Sequence, residues 1–141
     1  MPSDLLLKSM NSIHRTLFRA TKGRLGGKLL GMLVVDLKTI GRKSGKERWS
    51  MLTSPLQEGD AIVLVASRGG DPHHPAWYHN IKANPAVEIV TTQGRRPMRA
   101  RVASAEEKAR MWPEVVKGYR GYGQYQKRTT RDIPLVILEP V

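Results

Sequence analysis

Cysteine is absent from the 141-residue chain, and its absence removes several kinds of chemistry. A chain without thiols forms no disulfide, no thiolate metal site and no cysteine nucleophile. Its apolar runs are a few residues long, far short of the ~20 residues that a membrane-spanning helix needs. The N-terminus also lacks the hydrophobic core of a signal peptide. These absences lead us to expect a cytoplasmic protein.

Acidic residues are scarce relative to basic ones. The chain has 12 Asp and Glu against 24 Lys and Arg, a formal net charge of +12. The first 50 residues alone hold 11 basic residues against 3 acidic ones. A surplus of this size favours an anionic partner, which can be nucleic acid, anionic lipid or a polyanionic small molecule.

Motifs of several common enzyme sites are missing as well. The adjacent His73 and His74 do not converge on one ion, and there is no HExxH motif, so no metal is expected. Ser67 does not lie in a G-x-S-x-G elbow, and no pair of carboxylates is placed for acid–base catalysis. No G-x-G-x-x-G opens a helix after a strand, so a redox cofactor would not be held in the Rossmann manner.

What is present is a pattern of short strands separated by turn signals. Strands are predicted over residues 32–40, 47–56, 61–67, 86–92, 97–103 and 133–139, with a short helix over 76–83. A capping box at residues 104–107 opens a later helix that Pro113 interrupts or restarts. The glycines at 118, 121 and 123 predict a loose stretch after it. The pattern predicts a mainly β (α+β) domain over residues 23–141, a small barrel of about six antiparallel strands with peripheral helices.

The N-terminal segment, residues 1–22, has the pattern of an amphipathic helix. Four apolar residues form one stripe and four basic residues form another face: Leu6, Met10, Ile13 and Leu17, beside Lys8, Arg15, Arg19 and Lys22. Two interpretations remain open. The stripe packs on the barrel, or the helix lies on an anionic membrane surface, which would make the protein peripheral on the inner face of the membrane.

Two segments carry groups suited to ligand binding. The turn Gly41–Gly45 (GRKSG) has two cations and a hydroxyl between glycines, and the backbone amides of such turns can form an anion-binding nest. The second segment runs from Ala66 through Ser67, Arg68 and two glycines to Trp77-Tyr78-His79-Asn80. Its serine, cation and cluster of flat rings suit a polar heterocycle, although a Trp-Tyr pair is also typical of a core.

A row of tyrosines marks the late part of the chain. Tyr119, Tyr122 and Tyr125 are spaced three residues apart. On a helix they would form a row of phenols along one side. They either cover the mouth of the barrel as core or form a substrate lid that stacks on an aromatic ligand.

In their order and spacing these segments resemble the deazaflavin-dependent nitroreductase and quinone reductase family, whose members use coenzyme F420 (8-hydroxy-5-deazaflavin). The resemblance runs from near Gly23 almost to the C-terminus. It implies a split β-barrel of the flavin-reductase-like fold. It also implies an oxidoreductase that passes a hydride from reduced F420 to a quinone-like, nitroaromatic or other unsaturated acceptor.

The resemblance implies roles for individual residues. Substrate contacts fall to Tyr119, Tyr122 and Tyr125, and the catalytic proton source is Tyr122 or, as a weaker candidate, Ser67. Arg68 replaces a residue that is lysine in many members, and Ser54 lies where some members have an aromatic residue. The cofactor-binding residues are Arg42, Lys43, Ser44, Gly45, Trp49, Met51, Ser54, Val65, Ala66, Ser67, Arg68, Ala76, Trp77, Tyr78, His79, Asn80 and Tyr122.

Three other functions compete with this interpretation. The same fold could serve an FMN-dependent enzyme, or a carrier that binds F420 without catalysis. A nucleic-acid-binding barrel would account for the charge, but the aromatic residues do not interleave with Lys and Arg along one strand face, so nucleic acid is not the expected partner. The expected partner is a small-molecule acceptor.

Overall fold

The computed structural model describes residues 28–29 and 32–141. The predicted helix over residues 1–22 lies outside this part of the chain. Within the described residues there are eight strands, three α-helices and a short 3₁₀ turn at Arg68–Gly70. The strands are β1 (Lys28–Leu29), β2 (Met32–Ile40), β3 (Glu47–Ser54), β4 (Leu56–Glu58), β5 (Ala61–Val65), β6 (Ala86–Thr91), β7 (Gly94–Val102) and β8 (Leu135–Pro140); the helices are α1 (Ala76–Ala83), α2 (Ala105–Gly118) and α3 (Gly121–Arg128).

The strands form one antiparallel sheet in the order β1-β2-β6-β7-β8-β5-β4, and β3 pairs with β2. The sheet curls until β3 contacts β5. At this closure the Ser54 hydroxyl donates a 2.6 Å hydrogen bond to the Val63 carbonyl oxygen. The prediction of a mainly β (α+β) split barrel of antiparallel strands with peripheral helices is confirmed, with eight strands in the described residues where about six were predicted.

Apolar side chains cover both faces of the curled sheet, because successive residues of a strand point to opposite sides. The inner cluster joins the sheet to α1, and the outer cluster joins β5 and β8 to α2 and α3. Residues of the inner cluster include Val35, Leu37, Leu64, Ile89, Leu138, Trp77 and Ile81; those of the outer cluster include Val63, Val65, Leu135, Ile137, Met111, Val115 and Tyr122.

Two local predictions are wrong. Pro113 does not break α2, which runs without interruption from Ala105 to Gly118 and carries the predicted capping box at Ser104. A proline removes one hydrogen-bond donor, but the buried side chains of Met111 and Val115 hold both halves of the helix on the sheet.

The loose stretch predicted after Gly118 is the helix α3. Its glycines serve close packing instead of mobility. A Cβ on Gly121 would lie 2.4 Å from the Tyr119 ring, and a Cβ on Gly118 would lie 2.6 Å from the Pro55 carbonyl oxygen. Packing of Tyr122 into the outer cluster therefore outweighs the low helix propensity of glycine.

Candidate functional site

The turn between β2 and β3 carries three exposed cations. It is closed by hydrogen bonds from the Gly41 amide to the Lys46 carbonyl oxygen (2.8 Å) and from the Gly45 amide to the Gly41 carbonyl oxygen (2.8 Å). Gly45 has a φ of 71°, which side chains disfavour. Arg42, Lys43 and Lys46 are exposed on this loop, and Nη1 of Arg42 lies 3.5 Å from Asn80 Oδ1.

The amides of this turn are mostly engaged within the protein, which corrects the expectation of an open anion nest. The Lys46 amide donates to Ser44 Oγ (3.2 Å), and the Arg42 amide donates to Asn80 Oδ1 (3.1 Å). The turn's attraction for anions therefore comes chiefly from its side-chain charges. The Ser44 hydroxyl accepts one bond here and keeps its own proton to donate.

Asn80 fastens helix α1 to that turn. Its side chain is 5% exposed, and besides accepting from Arg42 it donates from Nδ2 to Thr39 Oγ1 at 3.1 Å. Both ends of the amide are thus used to place the turn against the helix. The contact of Asn80 with a ligand stays a prediction. Its hydrogen bond to the Arg42 amide holds the cationic turn in place directly.

The remaining residues of α1 divide between core and surface. Trp77 and Tyr78 are buried in the inner cluster, as their core interpretation proposed, whereas Ala76 is exposed. His79 is partly buried and lies edge-on to Tyr78. Burial lowers the pKa of His79, and the nearby charges of Arg42 and Lys82 lower it further. A neutral imidazole therefore lies beside the cationic turn.

The loop after β5 has an unusual backbone. Ser67 is buried, and the next three residues all have positive φ: 45° at Arg68, 65° at Gly69 and 84° at Gly70. A positive φ is costly for a residue with a side chain, so the Arg68 conformation must be held by its surroundings. Gly70 lies against α3 so closely that a Cβ would be 2.8 Å from the Tyr125 carbonyl oxygen.

The predicted residues of β3 and β5 lie on both faces of the sheet. Trp49 and Met51 share the outer face of β3 with Thr53, since they alternate along the strand. The Arg95 guanidinium lies over the Trp49 ring, 5.4 Å from its centroid. Val65 belongs to the outer cluster and Ala66 to the inner one.

Ser54 is placed differently from what the resemblance implied. Its hydroxyl contacts the carbonyl oxygens of Val63 (2.6 Å) and Leu56 (2.9 Å) and accepts from Gln57 Nε2 (2.9 Å). The two carbonyl oxygens share the single hydroxyl proton, so none is left to donate to a ligand. Ser54 joins the ends of β3, β4 and β5, and its hydroxyl is not directed at a ligand.

The three tyrosines form a cluster of touching rings. Their centroids are 5.0 Å (Tyr119–Tyr122), 6.2 Å (Tyr119–Tyr125) and 6.0 Å (Tyr122–Tyr125) apart. Tyr122 is only 6% exposed; its hydroxyl lies 3.3 Å from Thr53 Oγ1 and 3.8 Å from Met32 Sδ. Tyr119 and Tyr125 are half-buried, with their hydroxyl oxygens 3.4 Å apart.

The tyrosine cluster is therefore part of the core, and two of its rings, Tyr119 and Tyr125, reach the surface. Burial raises the pKa of Tyr122. The hydrogen bond with Tyr119, together with burial, raises the pKa of Tyr125 to about 12. Tyr122 and Tyr125 thus keep their protons at neutral pH and can donate them in hydrogen bonds.

These segments are joined by a chain of contacts that returns to its start. It runs from the β2–β3 turn to α1, to the loop after β5, to α3, and through Thr53 back along β3 to the turn. The successive contacts are Arg42 with Asn80, His79 with His74 (ring centroids 5.7 Å), His74 with Arg131 (3.1 Å), Arg131 with the Ser67 carbonyl oxygen (2.7 Å), Gly70 with Tyr125, and Tyr122 with Thr53. The structure thus brings the predicted cofactor and substrate segments into one assembly.

Sequence reasoning assigned no role to Arg131 or Thr53. Arg131 bonds backbone carbonyl groups of the loop after β5, and Thr53 bonds the Tyr122 hydroxyl. Neither contact has a local sequence signal. Backbone acceptors look alike in any sequence, and residues 53 and 122 are far apart along the chain.

The described residues hold neither a metal-binding cluster nor a membrane-spanning helix. Among residues 28–29 and 32–141 no group of three or more His, Asp and Glu side chains is arranged to hold a metal ion. In the same part of the chain no helix is both long enough and apolar enough to cross a bilayer.

Comparison with known proteins identifies the family. A protein of Mycobacterium tuberculosis named F420H(2)-dependent quinone reductase is 40% identical over 130 residues, covering 89% of this chain and 87% of that relative. A solved structure described as an F420-H2-dependent reductase is 41% identical, with a TM-score of 0.67 over 75% of this chain and 93% of the other. A second structure, described as a domain-swapped dimer, is 36% identical, with a TM-score of 0.71 over 99% of this chain and 100% of the other. The family model for F420H(2)-dependent quinone reductases matches residues 10–140. The chain therefore belongs to the F420H(2)-dependent quinone reductase family of oxidoreductases, with the split-barrel fold that its sequence predicts.

Proposed function

We propose that this protein transfers a hydride from reduced coenzyme F420 to a quinone-like acceptor, with nitroaromatic and other unsaturated compounds as further acceptors. Family membership supports the proposal. The structural observation that supports the proposal is the closed chain of contacts, which connects the cationic turn, the strained loop after β5 and the tyrosine cluster. The reduced deazaflavin supplies the hydride, and the protein supplies binding, orientation and a proton.

The cationic turn fits the anionic end of this cofactor, which carries a phosphate and a poly-glutamate tail. Arg42, Lys43 and Lys46 place three positive charges on a rigid loop, and the Ser44 hydroxyl adds a donor. Gly45 sets the shape of the turn, and Asn80 holds it against α1. We assign the tail of the cofactor to this turn.

The ring of the cofactor is assigned to the strand and loop that follow. The outer face of β3 offers Trp49 and Met51, and the loop after β5 offers the Ser67 hydroxyl and the Arg68 guanidinium. Val65 and Ala66 position that loop from the end of β5. Ala76 and His79 complete the surface on α1, where Trp77 and Tyr78 contribute as its buried support. Ser54 contributes only through the strand end that it anchors.

The tyrosine cluster is assigned to the acceptor and to proton supply. Tyr119 and Tyr125 are half-buried and can stack on an aromatic acceptor. Tyr122 holds a protonated hydroxyl at the inner side of the cluster, where Thr53 orients it. A proton leaving Tyr122 for the reduced acceptor would be replaced from solvent. Ser67 is the second candidate donor, as a weaker acid.

The test of the cofactor is a side-by-side titration of the purified protein with F420 and FMN. F420 should bind more tightly, because its longer anionic tail reaches the cationic turn. Equal or tighter binding of FMN would favour an FMN-dependent enzyme of the same fold. Tight F420 binding without oxidation of F420H2 by any quinone or nitroaromatic compound would favour a carrier.

We also propose that residues 1–22 form a separate amphipathic helix that holds the domain of residues 23–141 at an anionic membrane surface. The support is the apolar stripe beside a basic face in the sequence. Full-length protein should sediment with phosphatidylglycerol vesicles at low salt, and a chain lacking residues 1–19 should not. Failure of the full-length protein to sediment would mean that the stripe packs on the barrel.

A further inference from the structure

The loop that carries Ser67 and Arg68 needs an external support. Its three consecutive positive φ angles include one at a residue with a side chain, and such a conformation costs on the order of 1–2 kcal/mol at that residue. Within the loop itself the Gly70 amide bonds the Ser67 carbonyl oxygen (2.9 Å). One short turn does not hold such a backbone alone, so the contacts from outside the loop decide its shape.

Most of those contacts come from one side chain, Arg131, beside the packing of α3 on Gly70 and a 3.5 Å bond from Arg128 Nη1 to the Gly69 carbonyl oxygen. Its Nη2 donates to the Ser67 carbonyl oxygen (2.7 Å), its Nη1 to the Ala66 carbonyl oxygen (3.1 Å) and its Nε to the Asp71 carbonyl oxygen (2.9 Å). The fork therefore grips the loop at its start and at its end. A guanidinium suits this task because its donors lie in a rigid plane.

The second hydrogen of Nη1 is directed at His74 Nδ1, 3.1 Å away. A guanidinium can only donate, so Nδ1 must accept, and His74 must be neutral with its proton on Nε2. Burial lowers the pKa of His74 below its ordinary value of 6.5, and the positive charges of Arg131 and Lys82, with that of His79 when it is protonated, lower it further. The Tyr78 ring packs against the His74 ring at a tilt of 41°, with centroids 4.6 Å apart, and the acidic group of the loop, Asp71, pairs with His73 and Arg68.

Arg131 is itself anchored to the tyrosine helix. Gln126 of α3 donates from Nε2 to the Arg131 carbonyl oxygen (2.8 Å) and accepts from the Ile133 amide (3.0 Å). The same helix presents Tyr122 and Tyr125. Arg131 is therefore a second link between the predicted acceptor side of the site and the predicted cofactor loop, beside the contact of Gly70 with Tyr125.

We propose that Arg131 is a positioning residue that holds the loop of residues 66–71 in its cofactor-binding shape, and that a neutral His74 completes this grip so that F420 affinity falls in acid. The inference rests on the proposed function for its cofactor. The direction of this pH dependence follows from the contact between Arg131 and His74. Protonation removes the acceptor on Nδ1 and places a positive charge against the guanidinium. The grip is complete above pH 6.5 and weakens as the pH falls through the lowered pKa of His74.

The first experiment compares Arg131→Lys with wild type, and uses Arg120→Lys, an exposed position at the start of α3, as the matched control. Lysine keeps the charge but cannot reach three carbonyl oxygens from one plane. We expect the dissociation constant for F420 to be at least ~10-fold higher, since several hydrogen bonds from a charged donor are lost. We also expect faster amide hydrogen exchange confined to residues 66–71, with kcat at saturating F420H2 changed less than KM. Wild-type affinity and wild-type protection of the loop in Arg131→Lys would overturn the proposal.

The second experiment tests the histidine and remains informative if Arg131→Lys fails to fold. In His74→Asn an amide oxygen replaces Nδ1 as an acceptor that does not titrate. The ratio of F420 affinities at pH 8 and pH 5 should be smaller for His74→Asn than for wild type, whereas His73→Asn, an exposed neighbour, should behave as wild type. Equal acid sensitivity in wild type and His74→Asn would contradict the role of His74. If wild type did not bind F420, the proposed function would fail, and hydrogen exchange of the loop would still decide whether Arg131 positions it.

Discussion

At the scale of single residues, the site divides into charges that face solvent and hydroxyls that are buried. Lys43 and its neighbours in the β2–β3 turn are exposed, whereas Tyr122 and Ser67 are not. Substitutions of the two kinds should therefore have different signatures. The first should alter cofactor affinity in a salt-dependent way, and the second should alter turnover.

Lys43→Ala should weaken F420 binding by about 1–3 kcal/mol at low salt, the loss expected for a charge-assisted contact. The difference from wild type should shrink as salt rises, because exposed charges are screened. Titration of F420 at low and at high salt measures both effects. Lys117→Ala removes the same charge from an exposed position at the end of α2 and serves as the control. Unchanged affinity of Lys43→Ala at low salt would place the anionic tail elsewhere.

Tyr122→Phe should lower turnover by ~10-fold or more, which corresponds to about 1.4 kcal/mol of transition-state stabilisation. The ring stays in the outer cluster, so stability and F420 affinity should change little. Steady-state kinetics with a quinone and with a nitroaromatic compound measure the loss. Tyr119→Phe, whose hydroxyl pairs with Tyr125, is the matched control for loss of a phenol. Wild-type turnover in Tyr122→Phe with both acceptors would make Tyr122 a core residue without a catalytic role.

At the scale of elements, the strands were easier to predict than the connections between them. The bounds of β2 and α1 agree with the sequence pattern residue for residue, because β2 is a nearly continuous buried run and the buried residues of α1 have helical spacing. The glycines around α3 misled the prediction, since their close contacts with Tyr119 and Pro55 exist only in the folded chain. The Arg131 grip was beyond sequence reasoning for the same reason.

The contact between the loop after β5 and α3 can be tested with two adjacent glycines. Gly69→Ala meets no atom within 4 Å, so it should cost only the ~1–2 kcal/mol of a side chain at positive φ. Gly70→Ala adds a clash with the Tyr125 backbone and should cost about 1–3 kcal/mol more. Urea denaturation measures the free energy of unfolding of each. Equal values would mean that α3 does not press on the loop.

The closure of the barrel can be tested at Ser54. Ser54→Ala leaves the buried Val63 carbonyl oxygen without this donor and should lower the free energy of unfolding by about 1–3 kcal/mol. Ser50→Ala, on the same face of β3, is the control and should cost less. Equal free energies of unfolding for Ser54→Ala and Ser50→Ala would mean that the hydrogen bond from Ser54 to Val63 does not secure β3 against β5.

At the scale of the whole molecule, the proposed site for an anionic cofactor on the surface of a small barrel would account for a net charge of +12 beside a mainly β core. The fold class and the family could be predicted from the sequence because the motifs are long and ordered. The arrangement of the site could not, since side chains such as Asn80 and Ser54 turn out to bond the protein itself.

The most direct test of the account is hydride transfer itself. Wild-type protein should be mixed with F420H2 and a soluble quinone under anaerobic conditions, and the return of oxidised F420 fluorescence followed in time. We predict multiple turnovers at a rate that depends on both substrates. When reduced FMN replaces F420H2, the protein should add much less to the rate of the protein-free reaction. Oxidation of F420H2 no faster than in the absence of protein, with any quinone or nitroaromatic acceptor, would contradict the central claim.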